Sequence, residues 1–215
     1  MTSNPCVYRV GHLERLRLRT PYTAQLALIF AIKNQLPRSA QLVMDITGVG
    51  KALFDMAVEQ GLDPIGVVIH SGFEIHHKPY DSVVTVPKLR IVSELDKRLQ
   101  SNDLFVHESL KDWPVLRREL LNFRPEITRG GTETWNARSG EHDDLVLALG
   151  LALFQLTGEH VPCRGLMRYY AGQAGESTGE EWAIGVDVGQ NVDPTAIAVV
   201  SKVSSPSSLT HHEAA

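Results

Sequence analysis

The chain of 215 residues is 43% hydrophobic, which is enough to bury one sizeable core, and its length predicts one or two domains. Its longest apolar stretch, residues 24–32, is far shorter than the roughly 20 residues that span a bilayer, which argues against a membrane role. The two cysteines, Cys6 and Cys163, form no CxxC pair, and no signal peptide is evident, so we expect a reduced, cytoplasmic protein.

The net charge of −4 conceals an uneven distribution along the chain. Residues 1–140 hold 18 Lys and Arg against 15 Asp and Glu, a net charge of +3, whereas residues 141–215 hold 3 against 10, a net charge of −7. A stripe of arginines of one parity in the first predicted strand is suited to following phosphates; it consists of Arg9, Arg15, Arg17 and Arg19. A solvated strand face explains the same pattern equally well.

The first half of the chain alternates predicted strands with predicted helices. Residues 6–18 alternate as a half-buried strand does, with an apolar face formed by Tyr8, Val10, Leu16 and Leu18. Thr20 is predicted as the N-cap, and Pro21 as the first residue, of a helix that ends near Pro37. A strand at Gln41–Ile46, a helix from about Leu53 to Gly61 and a strand at Pro64–Ile69 follow. This order predicts parallel pairing in a covered sheet.

The second half contains weaker elements, a buried helix and a late hairpin. We predict, in order, an excursion or hairpin at residues 71–87, a helix at Lys88–Leu99, a strand at Leu104–His107, a helix at Trp113–Phe123, a polar loop at Arg124–Ser139 and a buried helix at His142–Leu156. Residues 158–182 are predicted to link this body to a hairpin at 183–202, and residues 204–215 to form a disordered tail. Residues 1–203 would then form one α/β domain.

Three acidic positions lie at the ends of buried elements, where an uncompensated carboxylate is costly. Asp45 ends the strand LVMD, Asp187 interrupts the strand IGVDV, and Asp143 and Asp144 open the buried helix. Simpler explanations exist for two of them, because Asp45 precedes a glycine turn and an acid in the first turn of a helix complements its dipole. Asp187 is harder to explain without a partner.

Together these acids fit a site in which carboxylates from separate elements hold two Mg²⁺ or Mn²⁺ ions. Such ions activate water and stabilise the leaving oxygen of a phosphodiester. A zinc site is less consistent with the sequence, because the cysteines are isolated and the pairs His76–His77 and His211–His212 lack the usual ligand spacing.

The acidic segments resemble the nuclease domains of phage terminase large subunits. IGVDVGQNVDPTAIAVV is similar to their first catalytic hairpin, and YRVGHLERLRLRTPY to the strand and helix that normally follow it. LVMDITGVGKALFDMAVEQGLDPIGVVI is similar to the second acidic strand and its surroundings, VPKLRIVSELDKRLQSNDLFVH to the next helix and strand, and EHDDLVLALGLAL to the closing acidic helix. The resemblance covers roughly residues 7–157 and 182–202.

This resemblance implies a ribonuclease H-like fold, with a mixed five-stranded sheet flanked by helices, and an endonuclease that cuts double-stranded DNA. Asp187, Asp45 and Asp144 would be the catalytic, metal-binding acids, with Asp143 as a possible fourth ligand. We assign nucleic-acid binding to Arg15, Arg17 and Lys88. Related resolvases carry a further acid where this chain has Leu147, which leaves the relative roles of Asp143 and Asp144 open. If the gene is phage-encoded, the protein would act in the host cytoplasm.

The chain departs from those large subunits in two ways. Their ATPase motor needs GxxxxGK[ST], but around TGVGK this chain has Asp45 in place of the first glycine and Ala52 after Lys51; any motor would be a separate partner. The first catalytic hairpin also lies at the C-terminus, which we interpret as a circular permutation. It predicts that Ile184–Val188 lies between the strands Thr195–Val200 and Gln41–Ile46, with Tyr8–Leu18 at the far edge.

Three other interpretations remain open. A Holliday-junction-type resolvase would share the fold, acids and metals but recognise branched DNA. An actin-like ATP-binding fold also places a GVDVG strand end near phosphates, although the His-Asp-Asp helix argues against it. A prophage remnant could keep the fold as a catalytically silent structural or binding module.

Overall fold

The computed structural model describes residues 6–77, 82–127, 133–136, 142–157 and 180–204. The predicted linker, apart from its last residues, and the predicted tail after Ser204 lie outside these residues, as does Cys163. Residues 180–182, predicted as the end of the linker, belong to a strand instead.

The described residues contain a mixed sheet of eight strands and a separate pair. In chain order the strands are β1 (Cys6–Arg15), β2 (Gln41–Asp45), β3 (Pro64–His70), β4 (His76–His77), β5 (Val83–Pro87), β6 (Leu104–Val106), β7 (Arg124–Ile127), β8 (Glu133–Asn136), β9 (Glu180–Asp187) and β10 (Ala196–Ser204). The large sheet has the order β4-β5-β3-β2-β9-β10-β1-β6, and β7 pairs with β8.

The predicted position of the C-terminal hairpin is confirmed. Strand β9 pairs in parallel with β2 on one side and antiparallel with β10 on the other. Strand β10 in turn pairs antiparallel with β1. The five strands of the predicted ribonuclease H-like sheet therefore occur in the order β3-β2-β9-β10-β1, and the C-terminal hairpin supplies its centre.

The predicted mixed α/β sheet is confirmed, but it has eight strands rather than five, because it extends beyond this core at both edges. At one edge β5 pairs in parallel with β3, and β4 pairs with β5. At the other edge β6 pairs with three residues of β1, so β1 is not the far edge. The sequence predicted a hairpin at residues 71–87 and a strand at Leu104–His107, but hydrophobic periodicity does not report which strand an added strand pairs with.

Helices cover both faces of the sheet. They are α1 (Tyr22–Gln35), α2 (Gly50–Glu59), α3 (Lys88–Gln100), α4 (Trp113–Asn122) and α5 (Asp144–Leu156). Helices α1 and α2 pack on one face, where Leu26 and Leu53 share a cluster with Ile184 of β9. Helices α3, α4 and α5 pack on the other face. None of the described helices has the length and hydropathy needed to cross a membrane.

The predicted alternation of the first strand fails beyond Val10. The register of β1 against β10 shifts between Val10 and His12, so one residue is added at Gly11. Such a bulge reverses the parity of the residues that follow it. As a result Leu13 faces the core, and Arg15 has the same parity as Leu13. The strand ends at Arg15, and Leu18, predicted to be buried, is 49% exposed.

Two further local predictions are wrong. Pro21, rather than Thr20, is the N-cap of α1, and the Thr20 hydroxyl donates to the Arg17 carbonyl instead. The segment predicted as a polar loop at Arg124–Ser139 contains the paired strands β7 and β8. The first prediction fails because the Thr20 hydroxyl bonds backward to Arg17, and the second because hydrophobic periodicity does not report the pairing of β7 with β8.

Candidate metal centre

Two of the predicted acids end neighbouring parallel strands. Met44 of β2 pairs with Val186 of β9, so Asp45 and Asp187, the last residue of each strand, follow directly after a matched pair. Neighbouring strands lie about 4.8 Å apart. The carboxyl ends of β2 and β9 therefore bring Asp45 and Asp187 to the same edge of the sheet.

Strand alternation also places these two acids on the same face. Met44 and Val186 pack in the cluster formed with α1 and α2. Side chains of successive strand residues point to opposite faces, so Asp45 and Asp187 point to the face covered by α5. The third predicted acid, Asp144, is the first residue of α5. All three therefore come from elements that meet at one corner of the fold.

Gly185 allows α5 to lie directly on the sheet at this corner. A Cβ atom added at Gly185 would be 1.9 Å from the carbonyl oxygen of Ala148, in the middle of α5. Asp144 precedes Ala148 by about one helical turn, and Asp187 follows Gly185 by two strand residues. The contact between Gly185 and Ala148 therefore sets the separation of Asp144 from Asp187.

We expect Gly185→Ala to destabilise the protein and to displace Asp144. An added methyl group must push α5 away from β9, and overpacking of this kind costs about 1–3 kcal/mol. Urea unfolding measures the loss. Gly11→Ala is the matched control, because its added Cβ would meet only the Trp182 ring at 3.8 Å. Equal stabilities for the two variants would contradict the close approach.

Asp144 is buried, and two basic groups approach the same carboxylate oxygen. Its residue surface is 4% exposed. Its Oδ2 lies 3.1 Å from Nη2 of Arg15 and 3.7 Å from Nδ1 of His142. Burial raises the pKa of Asp144 to about 6, and the nearby Arg15 and His142 oppose that rise. Among the described residues, Oδ2 of Asp144 makes no hydrogen bond, and the Arg15 guanidinium supplies the nearest positive charge.

Glu119 of α4 is a buried acid beside Asp144 that the sequence interpretation missed. Its Oε2 accepts hydrogen bonds from the backbone N–H groups of Leu145 and Val146, at 2.9 and 3.2 Å. It thus satisfies donors at the N-terminus of α5 that have no partner within the helix. Burial raises its pKa to about 7. The sequence signal for its burial was the spacing: Glu119 follows the buried Leu116 by three residues and therefore lies on the same face of the helix.

The pKa values of Asp187 and Asp45 are both raised above the ordinary value of an aspartate. Burial raises the pKa of Asp187 well above its ordinary value, and the neighbouring charges of Asp45 and Asp144 add to the rise. Burial also raises the pKa of Asp45, whereas hydrogen bonds from Thr47 lower it. The Thr47 N–H donates to Asp45 Oδ1 at 2.7 Å, so Asp45 is a turn residue as well as a candidate ligand.

We expect the metal-free protein to lose stability as the pH rises from about 4 to 8. The pKa values of Asp45, Asp144, Asp187 and Glu119 are raised in the folded state. The native state therefore binds more protons than the unfolded state in this window, and stability falls with pH. The stabilisation is complete below the unfolded pKa values and is lost as pH passes the folded ones. Urea midpoints in EDTA measure the trend; a flat or rising profile would contradict it.

Asp143 lies at the N-cap of α5 and is less buried than Asp144. Its Oδ2 is 2.9 Å from Nζ of Lys88, the first residue of α3. Among the acids that raise the pKa of Asp187, Asp143 contributes less than Asp144. Asp144 is therefore the more deeply buried of the two acids, and Asp143 is the partner of Lys88.

Among the described residues, the group of ligand atoms close enough to hold one ion contains Asp144 with His142 and Asp193, and it does not include Asp45 or Asp187. Ligand atoms of His142, Asp144 and Asp193 all lie within 4.8 Å of one another, and Nδ1 of His142 is 3.4 Å from Oδ1 of Asp193. Two sequence features could have indicated these residues: His142 directly precedes the pair of acids, and Asp193 lies in the turn of the C-terminal hairpin. Carboxylates suit Mg²⁺ and Mn²⁺, whereas imidazole suits transition metals such as zinc, so His142 widens the range of metals that fit.

Two solved structures are similar to this chain. The crystal structure of the large terminase nuclease from thermophilic phage G20c with bound magnesium has a TM-score of 0.48 and 19% sequence identity, over 71% of this chain and 85% of that one. A second crystal structure of the G20c nuclease has a TM-score of 0.45 and 19% identity, over 69% of this chain and 83% of that one. No protein-family model and no curated protein matches the sequence.

Proposed function

We propose that this chain is a metal-dependent endonuclease that cleaves the phosphodiesters of double-stranded DNA with two Mg²⁺ or Mn²⁺ ions. The observation that supports the proposal best is the convergence of Asp45, Asp187 and Asp144 at one corner of the fold. Two of these acids end adjacent parallel strands, and the third opens the helix that packs on them. In genome packaging, such a nuclease would act with a separate ATPase motor.

The site residues fit divalent cations by their chemistry. Oδ2 of Asp144 is buried and makes no hydrogen bond within the described part of the chain, which is the environment in which a cation ligand gains most. Asp45, Asp144 and Asp187 would hold the ions, and Asp143, His142 and Asp193 are further candidate ligands. When bound, the metals would supply an activated water and stabilise the leaving oxygen.

The basic residues of the site divide into two groups. Arg15 and Lys88, both predicted to bind nucleic acid, form ion pairs with Asp144 and Asp143. Arg17 and Arg19 are exposed in the turn that follows β1, and no ion pair with them occurs among the described residues. This turn begins at the same end of the strands as Asp187, because Arg15 and Asp187 both pair with Ala196 of β10. We therefore assign DNA phosphate contacts to Arg17, and we add Arg19 to the residues predicted to make them.

We expect the purified full chain to nick and linearise plasmid DNA with Mn²⁺ or Mg²⁺, and excess EDTA to stop the reaction. The ligands are carboxylates, and the chemistry needs a metal-activated water. Little sequence preference is expected, because phosphate contacts carry no direct sequence information. Gel analysis of supercoiled plasmid measures the activity, and sequencing of the cut ends measures the preference.

An Asp187→Asn variant purified by the same procedure is the control for contaminating nucleases. Cleavage that persists in excess chelator would contradict the metal mechanism. Strong preference for a four-way junction over linear duplex would favour the resolvase alternative. Metal binding without cleavage of any DNA would favour the catalytically silent module.

A further inference from the structure

The Arg15 guanidinium lies between two buried carboxylates from different helices. Nη2 is 3.1 Å from Oδ2 of Asp144 in α5, and Nη1 is 3.7 Å from Oε1 of Glu119 in α4. The backbone N–H of Arg15 donates to Oδ2 of Asp112 at 2.7 Å, which fixes the end of β1. The position of the guanidinium is thus set by three elements, β1, α4 and α5.

These two carboxylate oxygens are incompletely satisfied. Oδ2 of Asp144 and Oε1 of Glu119 are both buried, and neither forms a hydrogen bond within the described residues. Arg15 therefore compensates them by charge rather than through the bidentate hydrogen bonds that an arginine forms with a well-aligned carboxylate. An ion pair of this kind is open to exchange with a better-placed cation.

The two carboxylates differ in what else holds them. Oε2 of Glu119 accepts two backbone N–H groups at the start of α5, so Glu119 is fixed to the helix. Asp144 instead offers a carboxylate oxygen to the group of ligand atoms formed with His142 and Asp193, and its Oδ2 lies 3.7 Å from Nδ1 of His142. A metal ion would therefore compete with Arg15 for Asp144 and leave Glu119 with Arg15.

We propose that Arg15 is a displaceable counter-ion, which compensates Asp144 in the metal-free protein and yields it to a divalent cation while Glu119 retains the guanidinium. The inference rests on the proposed function, because it takes Asp144 as a metal ligand. Arg15 then has two opposing effects. It stabilises the metal-free fold, and it weakens metal binding, because a positive charge must be displaced or kept close to the ion.

The test is Mn²⁺ binding by calorimetry without DNA, together with thermal unfolding of the metal-free and metal-bound protein. We expect Arg15→Gln to lower the Kd for Mn²⁺ by about tenfold or more. We also expect it to lower the Tm of the metal-free protein and to increase the rise in Tm on Mn²⁺ addition. Lys111→Gln is the matched control, because it removes a positive charge from an exposed pair with Glu14; its Kd should equal that of the wild type.

Arg15→Lys provides a second variant if Arg15→Gln does not fold without metal. An ammonium keeps the charge but cannot bridge both carboxylates as a guanidinium does, so its Kd should fall between the wild-type and Arg15→Gln values. Weaker Mn²⁺ binding in a folded Arg15 variant, or unchanged binding in Arg15→Gln, would overturn the counter-ion role and leave the proposed nuclease intact. If the wild-type protein bound no divalent cation, both proposals would fall together.

Discussion

Asp187→Asn is expected to abolish DNA cleavage by this chain and to make the metal-free protein more stable at pH 8. The amide has nearly the same shape as the carboxylate, so no cavity forms, but the charge that would hold a metal is lost. Removing a residue that only hydrogen-bonds to a metal ligand lowers activity by roughly 10–100-fold. We expect a larger loss of cleavage here, because a ligand itself is removed. The gain in stability follows from removing a partly buried charge that desolvation and the neighbouring charges of Asp45 and Asp144 disfavour.

Plasmid cleavage and urea unfolding in EDTA measure these two effects on one preparation. The stability gain should shrink as the pH falls and vanish below about pH 3, where the wild-type Asp187 carboxyl is protonated in both the folded and the unfolded state. Asp55→Asn is the matched control, because Asp55 is an exposed partner of Lys51, and its change should leave cleavage intact. Wild-type cleavage by Asp187→Asn would remove the central acid from the proposed mechanism.

Asp45→Asn separates the two roles of Asp45. The amide oxygen of asparagine is able to accept the Thr47 N–H as the carboxylate does, so the turn after β2 should persist. Only the charge at the metal site is lost, and we expect cleavage to fall as it does for Asp187→Asn. Wild-type rates with a normal metal optimum would show that Asp45 is a turn residue alone.

The core of the sheet was predictable from the sequence because its signals are local. Gln41–Asp45 and Glu180–Asp187 carry apolar runs that end in an acid, and α5 is apolar on nearly all sides. Those patterns locate buried elements and their ends without any knowledge of pairing. The neighbour relation of β2 and β9 came from the resemblance and from the requirement that Asp45 and Asp187 share metals.

What the sequence did not predict depends on pairing or on tertiary contacts. The bulge at Gly11 changes the side of the sheet to which Arg15 belongs, and it is visible only in the register against β10. Glu119 is in a helix whose other side is polar, so its burial depends on how α4 meets α5. Asp193 lies in a turn, where an acid is ordinarily a surface residue.

Deleting residues 180–215 is expected to prevent cooperative folding of the remaining chain. The deletion removes β9 and β10 from the middle of the sheet, and it leaves β2 and β1 without the strands that join them. It also removes side chains that are almost completely buried; they include Ile184, Val186, Ile197 and Val199. Each such side chain contributes about 1.5–3 kcal/mol, so their sum is comparable with the roughly 5–15 kcal/mol that holds a domain together. Near-ultraviolet circular dichroism and urea unfolding measure the outcome.

The matched control for this deletion is a rearranged chain, in which the C-terminal hairpin is moved to the N-terminus. This chain also tests the permutation directly. Cys6 pairs with Ser204 at the end of the β1–β10 ladder, so a loop of about 2–5 residues is long enough to join them as a hairpin. We expect a chain in which residues 180–204 precede Cys6 through such a loop, and which ends at residue 179, to fold cooperatively and to retain cleavage. Every strand keeps its partners in that chain, and only the order of connection changes. A deletion product that folded as well as the rearranged chain would show that the hairpin is an appendage, and an inactive but folded rearranged chain would show that the site depends on the native connection from α5 to β9.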